Sequence, residues 1–290
     1  NKRTEAQLLG WVRIPVPLQS VNNDKWVHIP SVGGSVLSRS YHRIEKDLRE
    51  YLIRGGFPEA VDITPRDRFE LLRGYVDTAL LRDVIERHAV SHPVALRWMV
   101  RHLLGNAAGP FSVNKFHGDL QSQGIPVAKD TLHAYLGFLE DAFLIRTVAI
   151  SSASARRRMV NPRKVYPIDP ALIPVFDRTG RANLGHALET CVLLELERQG
   201  SEIAYVRTEA GYEIDFLARY HDHEELIQVC ADLSDPATRQ RESRALQEAV
   251  REHPRADLHL ISLEPDIPAD IPAGITVHSA TAWLLRKREE

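Results

Sequence analysis

Cysteine is nearly absent from this chain. The two present, Cys191 and Cys230, are too few for a disulfide framework or a cysteine-built zinc site. Both lie in apolar segments, as buried thiols in a reducing compartment do, so the expected location is the cytoplasm. No apolar run is long enough to span a bilayer, and neither a membrane partner nor a secretory leader is expected. Gly-x-x-x-x-Gly-Lys-Ser/Thr does not occur, so no ATP-binding residues can be assigned. An excess of one charge is also missing: 37 basic residues stand against 39 acidic ones. No global field would draw the chain onto nucleic acid or a membrane, and any basic surface must be local. An apolar fraction of 43% and a charged fraction of 26% are those of an ordinary globular protein. A length of 290 residues fits one large domain or, more readily, two. The first residue is Asn1 rather than Met, the form of a fragment of a longer chain.

Within residues 1–40, Trp11–Val16 and Lys25–Ile29 read as short strands, with a turn at Gly33-Gly34. From Tyr41 onward, Tyr41, Ile44, Leu48, Tyr51 and Leu52 recur at helical spacing, and Gly55-Gly56 followed by Pro58 stops the helix. A second helix is expected over Asp67–His88, with Phe69, Leu72, Val76, Leu80 and Val84 on one face. Three helices follow. The first runs from Pro93 to Leu104. The second is capped by Ser112 and turns Phe116 and Leu120 inward. The third covers Lys129–Ala142. With a short turn at Gly124–Val127 and a strand over Phe143–Ile150, they read as a helix-turn-helix in a winged-helix unit. Residues 151–164 form a Ser/Ala/Arg linker. Beyond it the pattern predicts a strand at 165–168, a helix at 184–199, strands at 203–207, 212–219 and 225–230, a helix at 236–252, a strand at 258–263 and a helix near 280–286. That α-β-β-β-α-β order is one mixed sheet flanked by helices, and the fold class is α+β. Three segments result: 1–40 unassigned, 41–150 helical and winged-helix, 151–290 the mixed-sheet domain.

Two of these strands carry the chemistry. In Gly211–Phe216, alternation places Glu213 and Asp215 on one face and Ile214 and Phe216 on the other. In Leu226–Cys230, Gln228 and Cys230 share one face, Ile227 and Val229 the other. An acid on one strand beside Gln-x-(usually Lys) on the next is the layout of a metal-dependent phosphodiesterase site. Glu189, a charge between Leu188 and Val192 on the preceding helix, is the candidate first carboxylate. Glu189 and Asp215 are the candidate ligands for Mg²⁺ or Mn²⁺, and Gln228 offers only a neutral oxygen. Glu213 either assists or is solvated. Cys230 stands where a lysine is usual, and neither a thiol nor a thiolate replaces an ammonium. Loss of that cation is worth roughly a 10²–10³-fold drop in rate. The site therefore reads as degenerate, and the competing view is a polar network retained for folding. Arg239, Arg241 and Arg244 on the next helix are the candidates for a migrated cation, although a guanidinium is a poor stand-in for lysine's point charge.

The third helix of the winged-helix unit would present Lys129, Asp130, His133 and Gly137 outward, a surface too weakly basic to hold duplex by itself. The linker is more suggestive. Arg156, Arg157, Arg158, Arg163 and Lys164 come with no acid among them. Such a run is either a solvated loop or, beside a helix-turn-helix, a wing that contacts phosphates. His221-Asp222-His223 looks ligand-like, but it falls between strands and reads as a hairpin tip.

Taken in order, Tyr51-Leu52-Ile53-Arg54-Gly55-Gly56-Phe57-Pro58-Glu59, Lys164-Val165-Tyr166-Pro167-Ile168-Asp169, Gly185-x-x-x-Glu189, Glu213-Ile214-Asp215-Phe216 and Ile227-Gln228-Val229-Cys230 are similar to the C-terminal portion of a large family of prokaryotic AAA-type ATPases. The resemblance runs from about residue 45 to the C-terminus. It implies a winged helix followed by a domain of unknown function with a restriction-endonuclease-like, PD-(D/E)xK-type fold. It also implies an N-terminal ATPase domain, which residues 1–40 do not match, so ATP is implied only for that missing part. Family members are similar in carrying Gln-x-Cys or Gln-x-Lys at the last motif, which makes Cys230 a variant of the pattern and favours a role other than cutting. The expected function is a DNA-interacting accessory module without catalysis. The alternatives are a Mg²⁺- or Mn²⁺-dependent nuclease using Glu189, Asp215 and Gln228, and a module that binds a protein partner.

Overall fold

A computed structural model describes residues 35–177, 183–264 and 270–286. The strands expected at 11–16 and 25–29 and the turn at Gly33-Gly34 lie outside the described residues. Helix α1 (Ser35–Arg54) stops at Gly55, whose φ of +74° belongs to the left-handed region. Space also requires glycine there: a Cβ at Gly55 would sit 2.0 Å from Asp169 Oδ1. The Asp169 carboxylate accepts from the backbone N–H groups of Gly56 and Ala171, each at 2.8 Å. One buried side chain thus fastens the end of α1 to a segment far along the chain. Burial pushes the Asp169 carboxyl up to about 6, against the pull of those two N–H donors.

Helix α2 (Pro65–Ala79) is capped by Thr64, whose hydroxyl accepts from the Asp67 N–H, and it continues through a wider π-type stretch at Leu80–Glu86. The expected stripe of Leu72, Val76, Leu80 and Val84 is buried, with Phe69 packed at its edge. Helix α3 (Pro93–Gly105), strand β1 (Pro110–Phe111), helix α4 (Val113–Ser122), helix α5 (Lys129–Asp141) and strand β2 (Ile145–Val148) follow. Ser112 caps α4 as expected, accepting from the Lys115 N–H. Residues 151–164 are not a plain linker: they hold a short helix α6 (Ala155–Val160) and the start of strand β3 (Arg163–Pro167). β3 lies antiparallel between β1 and β2. Helix α3, strand β1, helices α4 and α5 and the hairpin of β2 and β3 close one small sheet, and α6 sits in the connection of that hairpin, called the wing below.

A short helix α7 (Leu172–Phe176), absent from the sequence reading, leads to α8 (Leu184–Arg198). Ala187 to Leu196 are all buried, as befits a helix packed on several sides. Strands β4 (Glu202–Arg207), β5 (Glu213–Arg219) and β6 (Glu224–Cys230), helix α9 (Pro236–Ala249), strands β7 (Ala256–Ser262) and β8 (Ile275–Ser279) and helix α10 (Ala280–Leu285) complete the described chain. The five-stranded sheet has the order β4-β5-β6-β7-β8, antiparallel over the first three strands and parallel over the last three. α8 and α10 cover one face and α9 the other. The fold is α+β with a mixed sheet; β8 is an addition that sequence periodicity did not reveal. Among the described residues no helix is long and apolar enough to cross a membrane.

The two sheets are stitched together. Beyond β2 the chain runs parallel to the edge strand β4: the Tyr205 N–H donates to Ala149 O at 3.0 Å and the Ser151 N–H to Tyr205 O at 2.7 Å. The Tyr205 hydroxyl donates to Pro162 O at the base of the wing, at 2.7 Å. The pairing occupies part of an otherwise open edge. Leu48 and Leu52 of α1, with Val148 and Tyr166 from the small sheet and Ile150 just beyond it, enter the same core as α8. The segment 41–150 therefore feeds both cores.

Candidate functional site

β5 does not keep strict alternation. Ala204 pairs with Leu217 and Val206 with Ile214, so Tyr205 opposes two residues, Asp215 and Phe216. This is a β-bulge, which re-aims side chains. Its consequence is that Ile214 packs on the α9 side of the sheet and Phe216 on the α8 side, rather than together as alternation implies. β5 and β6 also part company here. Their ladder ends at Phe216–Ile227, while β6 stays paired to β7 as far as Cys230. Side chains bridge the fork: the Asp215 N–H donates to Gln228 Oε1 at 3.3 Å, and the Val229 N–H donates to Asp215 Oδ2 at 3.0 Å.

Into this fork comes Lys164, from β3 of the wing. Its Nζ lies 2.8 Å from Asp215 Oδ1, 3.2 Å from Glu189 Oε1 and 3.0 Å from Glu213 Oε1. The Lys164 side chain is only 5% exposed, and those of Glu189 and Asp215 are 10% and 11% exposed. The Tyr166 hydroxyl, two residues along the same strand, donates to Glu189 Oε1 at 2.7 Å. Burial by itself would pull the Lys164 ammonium toward deprotonation. Asp215, Glu189 and Glu213 reverse that and hold it well above the ordinary lysine value. Burial, then the neighbouring Asp215 charge, pushes the Glu189 carboxyl up to about 8, against Lys164 and the hydrogen bonds from Tyr166 and Lys164.

The other expected residues divide clearly. Gln228 belongs to the rear of the site: its Nε2 donates to Glu242 Oε2 on α9 at 2.7 Å, so its carboxamide braces Asp215 through the backbone and does not face Glu189. Cys230 is half-buried with Sγ on Asp232 O at 3.1 Å, outside the acid cluster. None of the three arginines on α9 is the migrated cation. Arg239 pairs with Asp270, Arg241 with Glu242, and Arg244 stacks over Tyr212. Lys164 parts from the exposed arginines of the linker: it is buried, and its ammonium, rather than a group at position 230, stands beside Asp215 and Glu189. Tyr166 went unremarked as a site residue. The signal for both was present, since alternation along Lys164-Val165-Tyr166 places the two polar groups on one strand face. Arg156, Arg157, Arg158 and Lys129 are exposed, while Arg163 is half-buried with Nη1 on Thr147 Oγ1 at 3.4 Å. His221-Asp222-His223 is the turn between β5 and β6, where His223 bonds Asp222 and stacks on Tyr220.

A Mg²⁺ or Mn²⁺ ion needs ionised carboxylate oxygens with room for water. In this arrangement Asp215 spends one oxygen on Lys164 and the other on the Val229 N–H, and Glu189 Oε1 takes both Lys164 and Tyr166. Among the described residues no group of three His, Cys, Asp or Glu is placed to hold a metal ion. As folded, the cluster does not fit a divalent metal: the ammonium fills the position between the carboxylates.

One consequence is measurable. In the unfolded chain Glu189 titrates near 4.5, and in the fold near 8. Between these values the folded protein holds a proton that the unfolded chain has lost. The stabilisation is complete below the lower value and disappears as pH rises through the upper one. Glu189→Gln removes this titration. Denaturant unfolding of both proteins should show the variant gaining on wild type by about 4 kcal/mol between pH 5 and pH 9; parallel pH profiles would contradict the assignment.

Residues 45–181 match the model of a family described as a Domain of unknown function (DUF8612). That segment includes the second half of α1, the helices and small sheet that follow, Lys164, Tyr166 and Asp169, and it stops short of Glu189 and Asp215. Over 226 residues the chain is 30% identical to an uncharacterized protein of Methanocaldococcus jannaschii, covering 74% of this chain and 50% of that protein. Over 230 residues it is 24% identical to an uncharacterized protein of Haemophilus influenzae, covering 79% of this chain and 56% of that protein. The chain thus spans about half the length of the curated relatives it matches. No solved structure matches it.

Proposed function

We propose that this chain is a non-cutting, DNA-interacting accessory module of an AAA-type ATPase family protein. The observation that carries the reading is the wing: Arg156, Arg157 and Arg158 are all exposed on α6, beside a helix-turn-helix whose α5 begins with exposed Lys129. Three guanidinium groups on one projecting turn make a local phosphate-binding surface on a chain with no global positive charge. The acid cluster supports the non-cutting half of the reading, because its carboxylates are engaged by Lys164 rather than free for a metal. In this account the nuclease-like sheet is a platform, and the Lys164 cluster anchors the wing strand to it. The chain spans about half the length of its curated relatives, which is room for an ATPase domain elsewhere in such a protein.

A second reading, a Mg²⁺- or Mn²⁺-dependent nuclease, gains from one observation: an ammonium does stand beside Asp215 and Glu189. A gel shift with a 30-bp duplex and a plasmid-nicking assay with Mn²⁺ separate the two. Binding at 50 mM salt that weakens steeply by 200 mM, with no nicking beyond that of an Asp215→Ala control, is the expected result. Absence of binding at 50 mM salt would end the first reading. Nicking lost on Asp215→Ala would establish the second.

A further inference from the structure

Resting on the DNA-binding reading above, we infer that the wing enters the minor groove and inserts Met159 as an apolar wedge between base pairs. Met159 is 73% exposed, the most exposed large apolar side chain among the described residues. It sits on the same short helix as the three arginines, in the sequence Ala155-Arg156-Arg157-Arg158-Met159. A spacing of three residues places Met159 beside Arg156 on the helix surface, with Arg157 and Arg158 on the flanks. Met159 is thus an apolar tip among exposed arginines, of which Arg158 turns back toward the base of the wing.

The wing is also built to be presented in this shape. The Ser154 hydroxyl caps α6 by accepting from the Arg157 N–H at 3.3 Å. The Asn161 side chain closes the helix by donating to Arg157 O at 2.7 Å, and the Arg158 guanidinium turns back onto Ser152 O. Behind it, Tyr205 holds both ends of the wing base, Ser151 through its backbone and Pro162 through its hydroxyl, and Lys164 ties the outgoing strand to the large sheet. Arginine beside an exposed, flexible apolar side chain on a rigid projection is the combination that widens and kinks a minor groove, with narrow A·T-rich grooves attracting the arginines. Major-groove reading by the same arginines would instead favour G·C pairs through guanine O6 and N7, and would leave Met159 without a role.

The experiment uses the chain as it stands, with 20-bp duplexes whose centres are A·T-rich or G·C-rich. Affinity is read by fluorescence anisotropy, bending by energy transfer between end labels, and unstacking by 2-aminopurine placed at the central step. Wild type is expected to favour the A·T-rich duplex by on the order of 10-fold, to bend it and to brighten 2-aminopurine. Met159→Ser should keep affinity for the G·C-rich duplex within about threefold while losing the bend, the 2-aminopurine signal and most of the preference, and Met159→Leu should retain all three. Bending and brightening by Met159→Ser equal to wild type would overturn the wedge with the DNA-binding reading intact. So would equal binding of both duplexes by wild type without a bend. Failure of wild type to bind either duplex at low salt would remove both readings.

Discussion

Lys164→Met lowers the stability of the fold by about 3–5 kcal/mol, as breaking a buried ion pair by removing one partner does. For a chain of this size that corresponds to a fall in melting temperature of roughly 10 °C. The side chain is nearly isosteric, so the loss is not one of packing. What remains is Asp215 and Glu189 in a water-poor site, with only Tyr166 and the Val229 N–H to satisfy them. The defect should have a pH signature. Removing the ammonium takes away a positive charge that opposes the burial of Glu189, so the proton-bound, less costly form of that carboxyl persists at low pH and is lost as pH rises. Destabilisation should therefore be larger at pH 8 than at pH 5. Adding Asp215→Asn to Lys164→Met deletes the stranded charge and should restore about 2 kcal/mol, a non-additivity that urea unfolding of the four proteins of the cycle would measure. Additive losses would mean that the ammonium stabilises the fold by something other than these carboxylates.

Much of the architecture was legible because it rests on short-range chemistry. The stripe from Leu72 to Val84, the Ser112 cap, the turn between α4 and α5 and the α-β-β-β-α-β order all follow from residues close in sequence. So did Glu189, a charge among apolar neighbours on α8. The parts that escaped depend on long-range placement. A run of basic residues reads as solvated, and nothing local tells Lys164 apart from Arg158. Lys164 is separated by pairing of β3 between β1 and β2, which turns it toward acids 25 and 51 residues further along. Alternation along β5 failed at the bulge opposite Tyr205, since an inserted residue reverses the faces that follow it. That one shift sends Ile214 and Phe216 to different cores. It also explains why Gln228, the expected third member of the site, ends behind Asp215 instead of facing Glu189. Strand β8 and helix α7 are short, and neither carries a period long enough to stand out.

Replacing Arg156, Arg157 and Arg158 together by Ala lowers duplex affinity by about 10²-fold at 100 mM salt, with little change in stability. The sizes follow from counterion release: each phosphate neutralised contributes about 0.9 to the slope of log K against log[salt], so removing three contacts should flatten that slope by about 2.7. The slope is the more telling measurement, because a fold defect would lower affinity without altering the number of ions released. Lys129→Ala, a single exposed cation at the start of α5, should change the slope by about 0.9 and thereby report whether the helix-turn-helix and the wing engage the same duplex. The wing also connects this prediction to the first. Because β3 carries Lys164 into the acid cluster directly after α6, a chain with Lys164→Met holds its arginines on a poorly anchored strand. It should bind more weakly than wild type while keeping the full salt slope, since every cation that meets phosphate is still present. A slope reduced by Lys164→Met would place that lysine among the phosphate contacts after all and would contradict its burial.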